Sequence, residues 1–204
     1  GTVDGDIFVG TWNSAAGDAD SHFSLENNGY KGSAALNLWS NNRVNQGLYL
    51  FATEENKNTY EFSSPAYLRV WVDFTGVDFR KANFGLIAPN GDLYTTDESD
   101  YVPDLFFYYL PEGSDTWQTY THGGDGCFGV EQDTSVKGFK GWMAFPVQDF
   151  TYRYGTGSGA GSAGEAYLHN EIAGIYLFWN YSSDTPEGSK FVLDELQLVQ
   201  DYTA

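Results

Sequence analysis

Three observations predict that this protein is all-β and folds as an antiparallel sandwich of two sheets. Aromatic residues make up 18% of the 204 residues, and 24 residues are glycine. No long window repeats apolar residues at helical spacing. Short apolar or alternating runs recur instead, and they are separated by groups of Asn, Asp, Gly and Pro that favour turns.

Nine such runs predict about nine or ten strands, a number and spacing typical of a two-sheet sandwich. Each run has the alternating or aromatic-rich character of a strand. In chain order the runs are IFVGTW, SAALNLW, QGLYLFAT, YLRVWVDF, ANFGLIA, DLFFYYL, GWMAFPV, GIYLFWNY and KFVLDELQLV. The turns between them include NNGYKG, PNGD, PEGSD, HGGDG and SSDTPEGS.

The least structured stretch is YGTGSGAGSAGEAY, residues 154–167, whose small side chains offer little to bury. It predicts a flexible loop inside the domain. Apolar strands continue on both sides, so residues 1–204 are predicted to form a single domain. The following EAYLHNEIAGI is predicted to hold one helical turn.

Composition limits the classes of partner. Lys and Arg total 10 against 28 for Asp and Glu, which gives a formal charge of -18. This charge repels nucleic acid and anionic lipid surfaces, and it weakens binding of polyuronates, so a neutral ligand is expected. The single cysteine, Cys127, excludes an intrachain disulfide and is expected to be a buried structural thiol.

The run AYLRVWVDF carries the main candidate ligand-binding residues. By alternation, Leu68, Val70, Val72 and Phe74 face the core. The other side carries two aromatic rings and two charged groups, which suit the flat C–H faces and the hydroxyl edges of a pyranose. We therefore predict that this side lines a glycan-binding surface, formed by Tyr67, Arg69, Trp71 and Asp73.

Other strands show the same pattern of outward aromatic and polar side chains. Alternation places Ile175 and Leu177 inward in GIYLFWNY, and therefore Tyr176, Phe178 and Asn180 outward. Trp117 lies on a predicted loop and is a candidate clamp over the cleft. The remaining candidates from this pattern are Asn37, Trp39 and Tyr49.

Motifs of catalysis are missing, whereas a metal site is predicted. The three histidines show no close pairing, and no GxSxG, HExxH or P-loop spacing occurs. Asp4 and Asp6 in VDGDIF, and Asp194 in FVLDEL, place oxygen ligands beside core strands at the two ends of the chain. Calcium bound there would join the ends of the sandwich.

The whole chain resembles the β-jelly-roll carbohydrate-binding modules of galactose-binding-like fold. The resemblance is carried by the order of DGDIFVGTW, SLENNGYKGSAALNL, YLRVWVDFTGVDFRKANFGL, GFKGWMAFPVQDF and IAGIYLFWNYSSDTPEGSKFVLDELQLV. The chain exceeds the usual module length around DESDYVPDLFFYYLPEGSDTWQTYTHGGDGCFGV. The resemblance implies a glycan in the concave sheet and a structural calcium. Its early ligand position matches Asp4, Asp6 or Glu26, and its late position matches Asp194 or Glu195.

These observations together predict a noncatalytic module that binds a neutral plant polysaccharide and targets a parent enzyme or cell-surface complex to it. A β-glucan or xyloglucan is favoured and starch is the other candidate. The alternatives are a jelly-roll polysaccharide lyase or glycoside hydrolase, with Arg69 beside Asp73 as its visible candidate, and a protein-binding cell-surface module. The module is expected to be a secreted monomer, linked covalently to other modules as in cellulosomal proteins.

Overall fold

The computed structural model describes residues 2–3, 7–13, 21–43, 46–50, 59–96, 104–123, 127–130, 136–154 and 164–204. Its strands are β1 (Thr2–Val3), β2 (Ile7–Asn13), β3 (Ser21–Glu26), β4 (Ala35–Ser40), β5 (Gln46–Leu50), β6 (Tyr60–Glu61), β7 (Tyr67–Asp73), β8 (Phe79–Ile87), β9 (Leu93–Thr95), β10 (Asp104–Pro111), β11 (Gln118–Gly123), β12 (Lys140–Pro146), β13 (Thr151–Tyr154), β14 (Glu171–Ile172), β15 (Gly174–Tyr181) and β16 (Phe191–Val199). Short 3₁₀ turns lie at Tyr30–Gly32 and Val147–Asp149. Within this described part of the chain, no helix has the length and apolar character needed to cross a membrane.

Two antiparallel sheets make up the sandwich. Sheet I has the strand order β11-β10-β12-β7-β16-β4-β3, and sheet II has the order β1-β2-β5-β15-β8-β9-β13. A small pair, β6 with β14, accompanies them. The chain crosses repeatedly from one sheet to the other, as in a jelly roll. The predicted class, an all-β antiparallel sandwich, is confirmed.

The core lies between the two sheets and is rich in phenylalanine. Phe84 of sheet II and Phe145 of sheet I have ring centroids 5.2 Å apart, which shows the two inner faces in contact. Leu68, Val70, Val72 and Phe74 belong to this core, as the alternation of their strand predicted. Burial of such side chains stabilises the fold by roughly 1.5–3 kcal/mol each.

Strand β15 buries its inward residues in the same core. Ile175 and Leu177 face inward, as predicted, and Trp179 continues the same side. The Trp179 indole N–H donates to the Ser40 hydroxyl at 3.2 Å, so this fully buried ring has its polar atom satisfied. Cys127 is also completely buried, as expected of a structural thiol.

The predicted helical turn in residues 165–175 is wrong. Glu171–Ile172 forms β14 and pairs with β6, and Ala166 forms a bridge with Thr151. Tyr167 and Ile172 are buried in the main core, so tertiary packing overrides the local preference. Most of the glycine-rich stretch before this region lies outside the described residues.

Candidate functional site

The structure divides the predicted glycan-binding residues between two opposite surfaces. Strands β4 and β7 place their outward side chains on the outer face of sheet I, whereas β15 belongs to sheet II. Tyr176 and Asn180 therefore lie across the sandwich from Trp71. Tyr49 pairs with Tyr176 across β5 and β15, but its side chain lies outside the described residues. The prediction that all of these residues share one surface is therefore wrong.

Trp71 points away from the core as predicted, yet its expected exposure to solvent is wrong, because it is only 3% exposed. The ring centroid of Tyr30 lies 6.1 Å from that of Trp71, and Trp142 packs on the same cluster. The Lys140 ammonium lies 5.6 Å from the Trp71 centroid. The 3₁₀ turn that contains Tyr30 folds over this part of the sheet. The indole is therefore part of a small second core, with Ala35 and Val192.

Arg69 and Asp73 lie on the outer face of sheet I but are held by different partners. The Arg69 guanidinium stacks 4.6 Å from the Trp142 centroid, and its Nε donates to Gln197 Oε1 at 3.2 Å. Asp73 accepts from the Thr75 N–H at 3.0 Å and lies 3.4 Å from the Lys140 ammonium. The alternative hypothesis of an enzyme requires Arg69 and Asp73 to act as a pair. In the structure, each of these two groups is instead bonded to other residues.

The predicted residues of β4 also have partners within the protein. The buried Asn37 amide exchanges hydrogen bonds with that of Asn28. Trp39 is half-buried, stacks on His22 with centroids 5.5 Å apart, and carries the Lys190 ammonium 4.7 Å from its centroid. Any ligand at this end of sheet I has to compete with these contacts.

At the other end of sheet I, Tyr67 and Trp117 both contact a residue that the sequence analysis missed. Tyr202 follows β16 and lies T-shaped against both rings, with centroids 4.9 Å from Tyr67 and 5.0 Å from Trp117. It also stacks on Tyr108. Burial raises the pKa of the Tyr202 phenol, and the charge interaction with Tyr108 adds to the rise. No sequence pattern indicated that this tyrosine folds back onto the sheet.

The outer face of sheet II carries a different set of side chains. Tyr176 is buried there with Ile87 and Leu93, and Phe178 packs beside them half-buried. Tyr176 lies opposite Gly85 of β8, and Phe178 lies opposite Gly47 of β5. The space at Gly85 is filled, because an added Cβ there would lie 2.9 Å from the Tyr94 carbonyl oxygen and 3.0 Å from Thr95 Cγ2.

Asn83 lies directly across from Phe178 on this face and is 1% exposed. In the part of the chain that the structure describes, neither its amide nitrogen nor its amide oxygen has a hydrogen-bond partner. An unsatisfied buried polar group costs roughly 1–3 kcal/mol. The sequence analysis missed Asn83, although alternation in ANFGLIA opposes it to the core residues Ala82 and Phe84.

The predicted calcium ligands are only partly within the described residues, since Asp4 and Asp6 lie outside them. Asp194 Oδ2 accepts from the Tyr30 N–H at 2.8 Å and from the Ser33 hydroxyl. The Glu26 carboxylate pairs with Lys190 at 2.6 Å, and hydrogen bonds from Lys190 and then Ser24 lower its pKa. Among the described residues, no group of three or more His, Cys, Asp or Glu side chains converges on a metal position. The calcium site stays a prediction.

Comparisons with known proteins give several structural likenesses, among them the following three. No family model matches the chain, and no curated protein matches it. A family 11 carbohydrate-binding module of a cellulosomal cellulase from Clostridium thermocellum is similar with a TM-score of 0.46 and 9% identity, covering 98% of this chain and 89% of that one. An exo-β-agarase has a TM-score of 0.46 and 15% identity over 98% of this chain, which spans 24% of the agarase chain. A family 22 xylan-binding domain has a TM-score of 0.30 and 15% identity, covering 95% and 86% of the two chains. At TM-scores below 0.5, none of these likenesses decides the function, which has to be inferred from the side chains.

Proposed function

We propose that this protein is a noncatalytic carbohydrate-binding module that holds a neutral polysaccharide on the outer face of sheet II. The observation that carries the proposal is the buried amide of Asn83 beside Phe178, which has no hydrogen-bond partner among the residues that the structure describes. A primary amide offers both a donor and an acceptor, which are the complement of a sugar hydroxyl. The nearby half-buried ring of Phe178 supplies apolar surface for the C–H face of a pyranose.

The contrast between the two sheets supports this choice of surface. On sheet I, the amide of Asn37 and the charged groups of Arg69 and Asp73 are already bonded within the protein. On sheet II, a hydroxyl bound to Asn83 would supply partners that the amide lacks within the described part of the chain, and it would thereby remove the cost of a buried unsatisfied group. A ligand therefore gains more from a polar contact on sheet II than from one that it must first disrupt on sheet I.

The charge of the protein favours a neutral ligand. At a formal charge of -18, an anionic polysaccharide would be repelled at long range. We propose a β-glucan or xyloglucan as the polymer, with starch as the other candidate. We further propose that the module is secreted, monomeric and covalently joined to other modules that it targets to the polymer.

Affinity electrophoresis tests the proposed function directly. Hydroxyethyl cellulose, xyloglucan, mixed-linkage glucan, starch and polygalacturonate are each cast into native gels, with the anionic polygalacturonate as the negative control. We expect retardation by at least one neutral polymer, and loss of that retardation in Asn83→Leu. Failure of every neutral polymer to retard the wild-type protein would reject glycan binding, and unchanged retardation of Asn83→Leu would reject this surface. Release of reducing sugar from a bound polymer would show that the module is catalytic.

We also propose a structural calcium ion near Asp194, with Glu26, Asp4 and Asp6 as the other candidate ligands. The supporting observation is the position of the Asp194 carboxylate, which joins the last long strand to the turn around Tyr30. Gly29 lies so close to this carboxylate that an added Cβ would overlap Asp194 Oδ2. Oxygen ligands at such a junction are the type that calcium prefers.

A further inference from the structure

We propose that Tyr67, Tyr108 and Trp117 form a second sugar-stacking site on sheet I, which the chain closes with its own Tyr202. We call these three residues the aromatic cage, and residues 200–204 the strap. The site lies on the opposite side of the sandwich from Asn83, so it does not depend on the function proposed for sheet II. Its ligand class is a neutral pyranose.

The cage holds one flat six-membered ring. The Tyr202 ring lies parallel to Tyr108, with centroids 4.1 Å apart and planes 12° apart. Tyr67 and Trp117 approach its edges at 63° and 82°, with centroids 4.9 and 5.0 Å away. A pyranose has a similar ring size and presents a C–H face to an aromatic floor, so it fits the space that the phenol fills.

A hydrogen-bond donor stands at the rim of the cage. Arg69 Nη1 donates to the carbonyl oxygens of Tyr202 at 3.2 Å and of Ala204 at 2.5 Å. The guanidinium is held in place by its stacking on Trp142. If the strap leaves, these same N–H groups become available to the hydroxyl oxygens of a sugar, because a guanidinium donates to either kind of oxygen.

The strap follows the last strand, and it meets the sheet through the Tyr202 ring and through the bonds that Arg69 donates to it. Of its residues, only Tyr202 is partly buried, and the other four are exposed. Thr203 bonds to Asp201 inside the strap rather than to the sheet. Local segments of this kind can open at less than the free energy of global unfolding, and opening of the strap would separate Tyr202 from three rings and from the Arg69 guanidinium.

Closure by the strap lowers the apparent affinity of the cage in proportion to the open fraction. The apparent Kd equals the intrinsic Kd divided by that fraction, so removing Tyr202 strengthens binding if a sugar uses the cage. A merely structural role for Tyr202 predicts the reverse, since its loss would only expose and loosen the cage.

Calorimetry with cellohexaose and maltohexaose tests the proposal on an Asn83→Leu background, which removes the sheet II site. We expect Asn83→Leu/Tyr202→Ala to bind one of these sugars at least tenfold more tightly than Asn83→Leu does. Adding Trp117→Ala should abolish the gain. Thr203→Ala is the matched control, because it removes a bond within the strap and leaves the Tyr202 ring in place.

A chain that ends at Val199 provides a second variant that removes the whole strap, and it should show the same gain. No gain in either variant, with both folded by circular dichroism, overturns the proposal. Its failure is separable from failure of the sheet II site, because Tyr202→Ala alone binds two sugars if both sites exist. It binds one sugar, lost with Trp117→Ala, if the cage alone exists, and one sugar, lost with Asn83→Leu, if sheet II alone does.

Discussion

The side-chain amides of Asn28 and Asn37 bond each other in both directions, with N···O distances of 2.8 Å for each bond. Asn37 is 1% exposed, so this exchange satisfies an amide that water cannot reach. Asn83 is equally buried, but none of the described residues is such a partner for it. The two residues therefore form a natural pair for separating structural from ligand-binding polar groups.

Replacing these two asparagines with leucine should change stability in opposite directions. Asn37→Leu leaves the Asn28 amide without its partner and should lower the free energy of unfolding by about 1–3 kcal/mol. Asn83→Leu replaces an unsatisfied amide with an apolar group of similar size, so stability should stay the same or rise. Urea unfolding of both variants measures the difference. A large loss of stability in Asn83→Leu would show that its amide is satisfied in the folded protein and would remove the basis for the sheet II site.

Trp71→Ala should destabilise the protein strongly because its indole is buried beneath Tyr30 and Lys140. Truncation of a buried aromatic residue costs about 3–5 kcal/mol. Trp39→Ala is the matched control on the same face, and it should cost less because the Trp39 ring is half-buried. Thermal melting of the two variants checks this order. A Trp71→Ala variant that melts with the wild type would restore the original hypothesis of a solvent-exposed platform.

Asp194 should stabilise the junction between β16 and the turn at Tyr30–Gly32, and calcium should add to this effect. A site saturated 100-fold above its Kd contributes about 2.7 kcal/mol. We expect a chelator to lower the melting temperature of the wild type, and Asp194→Asn to melt lower and to ignore the chelator. Asp201→Asn, which changes an exposed carboxylate, should respond as the wild type does. If chelation leaves the wild-type melting curve unchanged, the calcium proposal fails.

The ionised carboxylate of Asp149 should lower the free energy of unfolding at neutral pH. Burial raises the pKa of its carboxyl above the ordinary value of 3.8. The unfolded chain therefore releases this proton at a lower pH than the folded protein does. The resulting penalty is absent below the ordinary pKa, grows as pH rises towards the folded pKa, and is constant above it. Asp149→Asn should raise the melting temperature at pH 7 and have little effect at pH 3. An equal effect at both pH values would indicate a cause other than ionisation.

The all-β class and the inward face of several strands were predictable from the sequence. Side chains alternate strictly along a strand, so the pattern from Leu68 to Phe74 determines which side enters the core. The same alternation correctly opposed Trp71 to Val70 and Val72. Local pattern was a poorer guide near Ile172, where burial against the core produces a short strand in place of the predicted turn of helix.

Which outward residues share a surface, and what covers them, was decided by tertiary structure alone. Alternation states that Trp71 and Tyr176 both leave the core, but the strand order places them on opposite sheets. Alternation along one strand also does not predict which distant segments pack on that strand. Examples are the turn that brings Tyr30 over Trp71 and the strap that places Tyr202 against Tyr108. The folded arrangement also decides whether a buried amide meets a hydrogen-bond partner, as Asn28 meets Asn37. For this reason Asn37 and Asn83 look alike in the sequence and differ only in the folded protein.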